Sequence, residues 1–124
     1  MEPKIKQERI TDDVIFLMTD RGAICELSTF AMDRQKELLL DHGIKCPYPL
    51  FFFHRIRSME EGKGHGTALM KRLIEICDEK GFAIINPINP YGRMDLEELK
   101  VWFGKYGFIE VEDSLVIRLP KEKK

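Results

Sequence analysis

The segment Glu61-Gly62-Lys63-Gly64-His65-Gly66-Thr67 sets three glycines within five residues, between a strand-like run and a helix-like run. Upstream lies the apolar stretch Leu50 to Ser58, with Phe51, Phe52 and Phe53 in succession; downstream, Leu69, Leu73 and Ile76, flanked by Met70, Ile74 and Cys77, recur at the helical period. Glycine adopts positive φ readily and puts no side chain between the backbone and a ligand. The first N–H groups of the helix that follows have no intrahelical partners, and the helix dipole turns its positive end toward the loop. A strand, a glycine loop and a helix in this order therefore make an anion site, suited above all to a phosphate or pyrophosphate. The same order fixes topology. The helix, expected over 64–80 and stopped by Gly81, connects strand 50–58 to strand 82–86, so the two strands run parallel.

Around that unit the pattern predicts a mixed sheet. A weakly alternating first strand is expected at 4–10, broken by Asp12-Asp13. Val14–Met18 and Ala23–Ser28 then form a hairpin about Thr19-Asp20-Arg21-Gly22. A short helix is expected from Phe30 to His42, capped by Ser28 or Thr29 and ended by Gly43. Lys45-Cys46-Pro47-Tyr48-Pro49 is a stiff loop, since two prolines fix φ and exclude helix. After strand 82–86, Pro87 and Pro90 are expected to end its hydrogen bonding. Asp95 and Glu98 have capping-box spacing, and Leu99, Trp102, Phe103 and Tyr106 continue a helix to Gly107. Phe108–Val111 and Leu115–Leu119 are the last strands, and 120–124 is a frayed tail. No linker or repeat divides the chain, so residues 1–124 form a single α/β (α+β) domain.

Composition narrows the function classes. A formal net charge of −1 gives no bulk electrostatic case for nucleic acid or an anionic membrane surface. The basic residues Arg55, Arg57, Lys63, Lys71 and Arg72 near the loop read either as a local patch or as a solvated face. No apolar run reaches membrane-spanning length, and the N-terminus has no signal-like apolar region. The three cysteines, Cys25, Cys46 and Cys77, are widely spaced without a C-x-x-C, which indicates neither a disulfide framework nor a zinc site. Free thiols suit a reducing cytoplasmic setting. Cys25 and Cys77 read as core residues, and Cys46 lies in a loop.

Two phosphate motifs are excluded. A Walker A loop needs Lys followed by Ser or Thr, but Gly64 follows Lys63; a dinucleotide fingerprint needs G-x-G-x-x-G, but the glycines here are spaced G-x-G-x-G. A general nucleotide-phosphate site is left as a weak third possibility. Instead, Ile56–Met70 resembles motif A of the GNAT superfamily of N-acetyltransferases, with Gly64 and Gly66 at its two small positions and Leu69-Met70 at the following apolar ones. Leu99–Phe108, a helix ending in aromatic-x-Lys-x-Gly-Phe, is similar to motif B. The two stand in the family's order and spacing, and the resemblance covers about residues 50–119.

The resemblance implies a single GNAT-like domain: a central, mostly antiparallel sheet whose one parallel pair (50–58 and 82–86) is splayed apart, with helices on both faces. It implies acetyl-CoA as donor and direct transfer of the acetyl group to an amine acceptor, a small molecule or a protein amine. The pyrophosphate is expected on the backbone N–H groups of Glu61, Gly62, Lys63, Gly64, His65 and Gly66, with the Thr67 hydroxyl adding a bond. The pantetheine arm is expected beside Ile56, Arg57 and Ser58 as an extra strand, with Phe103 next to the cofactor. The sequence departs from the family at two positions. Glu61 stands where Gln or Arg is usual, and Phe103 stands where many members carry the Tyr that protonates the departing thiolate. Tyr106 and Tyr91 are the nearest hydroxyls by sequence. Glu26, His54 and His65 are the candidate bases. The departures keep a second possibility open: a CoA-binding or protein-interaction module on the same scaffold without catalysis. A monomer and a homodimer are equally compatible with the sequence.

Overall fold

The computed structural model describes residues 4–29, 33–57, 64–88, 96–112 and 114–121, with the backbone alone at Asp33, Arg55, Arg57 and His65. Ten elements follow in order: β1 (Ile5–Ile10), β2 (Val14–Thr19), β3 (Ile24–Ser28), α1 (Asp33–Asp41), β4 (Leu50–Arg57), α2 (His65–Lys80), β5 (Ala83–Pro87), α3 (Leu96–Gly104), β6 (Ile109–Glu112) and β7 (Leu115–Arg118). The strands form one seven-stranded sheet in the order β1-β2-β3-β4-β5-β7-β6. Every neighbouring pair is antiparallel except β4 and β5, which the α2 crossover makes parallel.

Strand alternation sorts the core into two layers. Ile15, Leu17, Cys25, Leu27, Phe51, Phe53, Ile84 and Val116 project from one face and pack with Leu69, Met70, Leu73, Ile76 and Cys77 of α2 and Phe103 of α3. Their neighbours Leu50, Ala83, Ile85 and Ile117 project from the other face and pack with Leu39 of α1. Helices thus cover both faces. The triple Phe is split by the same rule: Phe51 and Phe53 are buried, while Phe52 is half-buried on the α1 face. α2 ends where the sequence placed its stop. Gly81 takes φ 73°, and its N–H reaches the Cys77 carbonyl.

The cap of α1 expected at Ser28 or Thr29 involves residues before Asp33 that lie outside those described; Ser28 itself closes β3, and Thr29 Oγ1 donates to Asp13 Oδ1 at 3.3 Å. Two local expectations are corrected. Pro87 does not end the β5 ladder: it pairs with Leu115, and the next N–H, that of Ile88, donates to the Ser114 carbonyl at 2.6 Å. Proline removes only its own donor. α3 closes at Gly104, not Gly107. The Tyr106 N–H bonds Phe103 O at 3.0 Å and the Gly107 N–H bonds Gly104 O at 3.1 Å, a tightened exit that Gly107 completes at φ 92°. The capping pair Asp95–Glu98 and the start of α1 at Phe30 involve residues outside those described.

Candidate functional site: the β4–α2 junction

The site begins with an irregularity in β4. Leu27 of β3 pairs with Phe53, and Cys25 pairs with Ile56, so β4 takes three steps where β3 takes two. The extra residue is accommodated at His54-Arg55, opposite Glu26. This bulge resets the alternation. Phe53 and Ile56, which a regular strand would send to opposite faces, both pack into the α2-side core. A bulge also bends its strand. β4 pairs with β5 only through Leu50↔Ala83, Phe51↔Ile84 and Phe52↔Ile85; from there β5 stays with β7 through Asn86↔Val116 and Pro87↔Leu115, while β4 runs on to Arg57 beside β3. The parallel strands therefore part at the bulge.

Where β4 ends, α2 begins. Gly64 is its N-cap at φ 83°, a left-handed conformation that glycine adopts without Cβ strain. No side chain hydrogen-bonds to this cap, and no acidic residue stands in the helix's first turn. The Gly64 carbonyl opens the helical ladder by accepting the Ala68 N–H at 3.0 Å. The N–H groups of His65, Gly66 and Thr67 thus occupy the first turn, with the positive end of a 16-residue helix dipole behind them.

α3 closes the third side. A Cβ placed on Gly66 would lie 3.8 Å from Trp102 Cζ2 and 4.0 Å from Ile56 Cδ1, so β4, α2 and α3 meet at this glycine. Trp102 leads into an aromatic cluster. Its ring centroid lies 5.1 Å from Phe103 and 5.3 Å from Tyr106, and Phe103 packs edge-on against Phe53 at 6.0 Å and Phe108 at 5.2 Å. Phe103 is 4% exposed. Tyr106 is half-buried, and its backbone carbonyl accepts Arg118 Nε at 2.7 Å.

Two of the candidate bases, Glu26 and His54, lie across the sheet from α2, and the third, His65, opens α2 itself. Glu26 follows buried Cys25 on β3, faces the other way and pairs in register with Arg55. His54 is exposed; its Nε2 lies 2.5 Å from Ser28 Oγ, and its ring centroid lies 5.2 Å from that of Phe52. The structure thus brings Ile56, Gly66 and the Phe103 cluster together on one face, and Glu26 and His54 onto adjacent strands on the other. Thr67 is half-buried in the first turn of α2. Ser58, Glu61, Gly62 and Lys63, the side chains of Arg57 and His65, and Tyr91 lie outside what is described.

Three residues at this junction escaped the sequence reading as site components. In the sequence Trp102 stands out only through its helical spacing and the motif B resemblance, and Ser28 only as a strand end and a helix cap. Asn86 is 5% exposed, immediately after the last β5 residue paired with β4. Its signal was slight: an amide directly after the apolar run Ala83-Ile84-Ile85 and before Pro87 reads equally as the end of the strand.

The thiols are distributed as the sequence suggested. Cys25 and Cys77 are buried. Burial raises the pKa of both thiols, that of Cys77 to about 12. Cys46 is half-buried, its pKa raised chiefly by desolvation, and its Sγ lies 3.7 Å from the Tyr48 carbonyl. Among the described residues no group of three or more His, Cys, Asp or Glu side chains could hold a metal ion, and no helix is long and apolar enough to cross a membrane. Comparison with protein-family models, curated proteins and solved structures gives no match to this chain.

Proposed function

We propose that this protein is an acetyl-CoA-dependent N-acetyltransferase of the GNAT type, moving an acetyl group directly from the thioester to an amine. The observation that carries the reading is the parting of β4 and β5 after Phe52↔Ile85, with the bulge at His54-Arg55 on β4 and the Gly64-capped start of α2 at its end. These features supply a place for each part of the donor in linear order. The pyrophosphate rests on the first-turn N–H groups of α2, where a helix N-terminus favours negative charge. The pantetheine arm follows β4 from Arg57 back toward Phe53, on the side that β5 has left. The thioester then lies at the parting of the strands, and backbone donors there support the carbonyl oxygen as it gains charge.

The chemistry needs no protein nucleophile. The amine nitrogen attacks the thioester carbonyl carbon, the C–S bond breaks, and the thiolate leaves with the electron pair while the amine's proton passes to a base. His54 stands on β4 one residue beyond Phe53, inside the bulge, and is the base on this reading. Thiolate is a fair leaving group, so a site with Phe103 and no hydroxyl at that position still works, without the ~10²–10⁴-fold help a general acid gives.

Phe103 also supports a second reading. Its ring is fully engaged with Phe53, Trp102 and Phe108, which suits a CoA-binding module that does no chemistry. One experiment separates the two. The protein is incubated with acetyl-CoA and a panel of amines, polyamines and peptides, and free CoA is measured. Binding is followed in parallel through the chain's single tryptophan, Trp102, which packs at Gly66 and changes its emission when CoA docks. CoA release above the amine-free rate supports the transferase. An emission change without release across the panel supports the module, and neither signal sinks both readings.

A further inference from the structure

The contact between Ser28 and His54 joins residues 26 positions apart on adjacent strands. Ser28 closes β3 and pairs in register with Phe52, the last residue of β4 to hold β5. His54 follows two residues later, inside the bulge. The ring is thus held twice: Ser28 Oγ lies 2.5 Å from Nε2, and the Phe52 ring lies 5.2 Å away, tilted by 52°. The histidine is an exposed side chain on the central strand, so the two contacts hold its ring without burying it. Fixing one ring nitrogen determines what the other can do, because neutral imidazole has one donor and one acceptor.

We infer that Ser28 is the positioning residue for His54: its hydroxyl oxygen accepts the Nε2–H, which leaves the Nδ1 lone pair as the base that takes the proton from the attacking amine. The inference rests on the acetyltransferase reading for its chemistry, but the tautomer it assigns stands independently of that reading. The step balances simply. The amine nitrogen forms the new C–N bond, the thioester C–S bond breaks with its electron pair going to sulfur, and the amine proton moves to Nδ1 and then to solvent or the thiolate. The Ser28 hydroxyl makes no bond to either substrate. The bulge gives the pair its place: it seats His54 beside Ser28 of β3, on the face of the sheet opposite α2.

The test has two arms. In the first, nitrogen-15 spectra of the imidazole identify the tautomer in the wild type, in Ser28→Ala and in Ser28→Thr. The expected result is protonated Nε2 and bare Nδ1 in the wild type and Ser28→Thr, with loss of that preference in Ser28→Ala. A wild-type ring protonated on Nδ1, or one unaffected by Ser28→Ala, overturns the inference whether or not the protein is an enzyme. In the second arm CoA release is measured with a competent amine. Ser28→Ala is expected to lower kcat about tenfold with acetyl-CoA affinity unchanged, and Ser28→Thr to restore it. His54→Ala is expected to lose at least as much and to recover partly with added imidazole. The double variant is expected to be no slower than His54→Ala alone, because Ser28 acts only through His54. Additive losses overturn the positioning role. An absence of CoA release from the wild type counts against the transferase, and the spectra then decide Ser28 on their own.

Discussion

Two glycines at the start of α2 are required for different reasons. Gly64 sits at φ 83°, where any residue with a Cβ is strained. Gly64→Ala is expected to lower stability by about 1–2 kcal/mol in urea titration, with or without CoA in solution. Gly66 is different: its missing Cβ would make ordinary contacts with Trp102 and Ile56, and alanine is the better helix former. Gly66→Ala is expected to keep or raise stability by up to ~1 kcal/mol while weakening CoA binding about tenfold, ~1.4 kcal/mol, by covering the first-turn backbone. Calorimetry on the two variants separates folding from ligand approach. If Gly66→Ala binds CoA as the wild type does, the pyrophosphate does not lie against that turn. The thiols offer a simpler check: with Cys25 and Cys77 buried, a thiol reagent is expected to modify Cys46 alone in the native protein and all three cysteines after denaturation.

At the scale of elements, the bulge in β4 has the widest effect. It is why Phe53 and Ile56 share a face, and why β4 turns away from β5 beyond Phe52. Deleting His54 removes the extra residue and leaves Phe53 and Ile56 two positions apart, so regular alternation keeps both on the α2 side; the urea midpoint is expected to shift little, while the contact to Ser28 is lost. Much of this architecture was legible in the chain. The helical period of Leu69, Leu73 and Ile76, with Gly81 after Lys80, fixed α2 to within a residue of its start, and the crossover it makes dictated the parallel pair. The bulge was not legible, because Phe51-Phe52-Phe53-His54-Arg55-Ile56 reads equally well as a regular strand whose alternation simply fails at its end. The missed role of Ser28 has the same origin. A serine just before a helix resembles a cap, and only the pairing of β3 with β4 brings it to His54. The glycine positions of the site were thus readable as local signals. Its cross-strand contacts were not, since they depend on register, which no local window contains.

For the molecule as a whole, two ion pairs fasten α2 to the sheet at separate places. Arg72 forks onto Glu8 of the edge strand β1, with Nη2–Oε1 at 3.0 Å, and also reaches Glu75. Arg118 of β7 is 2% exposed and grips Asp78 with two bonds of 2.9 Å, and Asp78 also accepts the Lys121 N–H at 2.9 Å. Burial alone would raise the Asp78 pKa, but the bonds from Arg118 and Lys121 and their charges outweigh it and hold the group below its usual 3.8. For Glu8 the hydrogen bond from Arg72 leads, and it too lies below its usual 4.5. Groups lowered in the folded state bind fewer protons there than in the unfolded chain. Their contribution is therefore complete at neutral pH, begins to fade below about pH 4.5, and is lost as pH falls through the folded values. Asp78→Asn leaves Arg118 buried without its counter-charge. We expect a loss of ~3 kcal/mol at pH 7 and a shallower decline in stability toward acid than in the wild type, measured by urea midpoints from pH 7 to 3. Glu8→Gln, at a more accessible pair, is expected to cost no more than ~1 kcal/mol.

The Asp78 clamp also decides where anything attached beyond Lys121 leaves the protein. Asp78 lies near the last turn of α2 and Gly64 before its first, and a helix of 16 residues is ~24 Å long. A fusion partner, affinity handle or surface tether joined after the final lysines therefore departs from the far end of that rod, and the β4–α2 junction faces away from the support. Immobilised in this way, the protein presents the Gly64-capped start of α2 to a nucleotide ligand or an amine in the flowing solution.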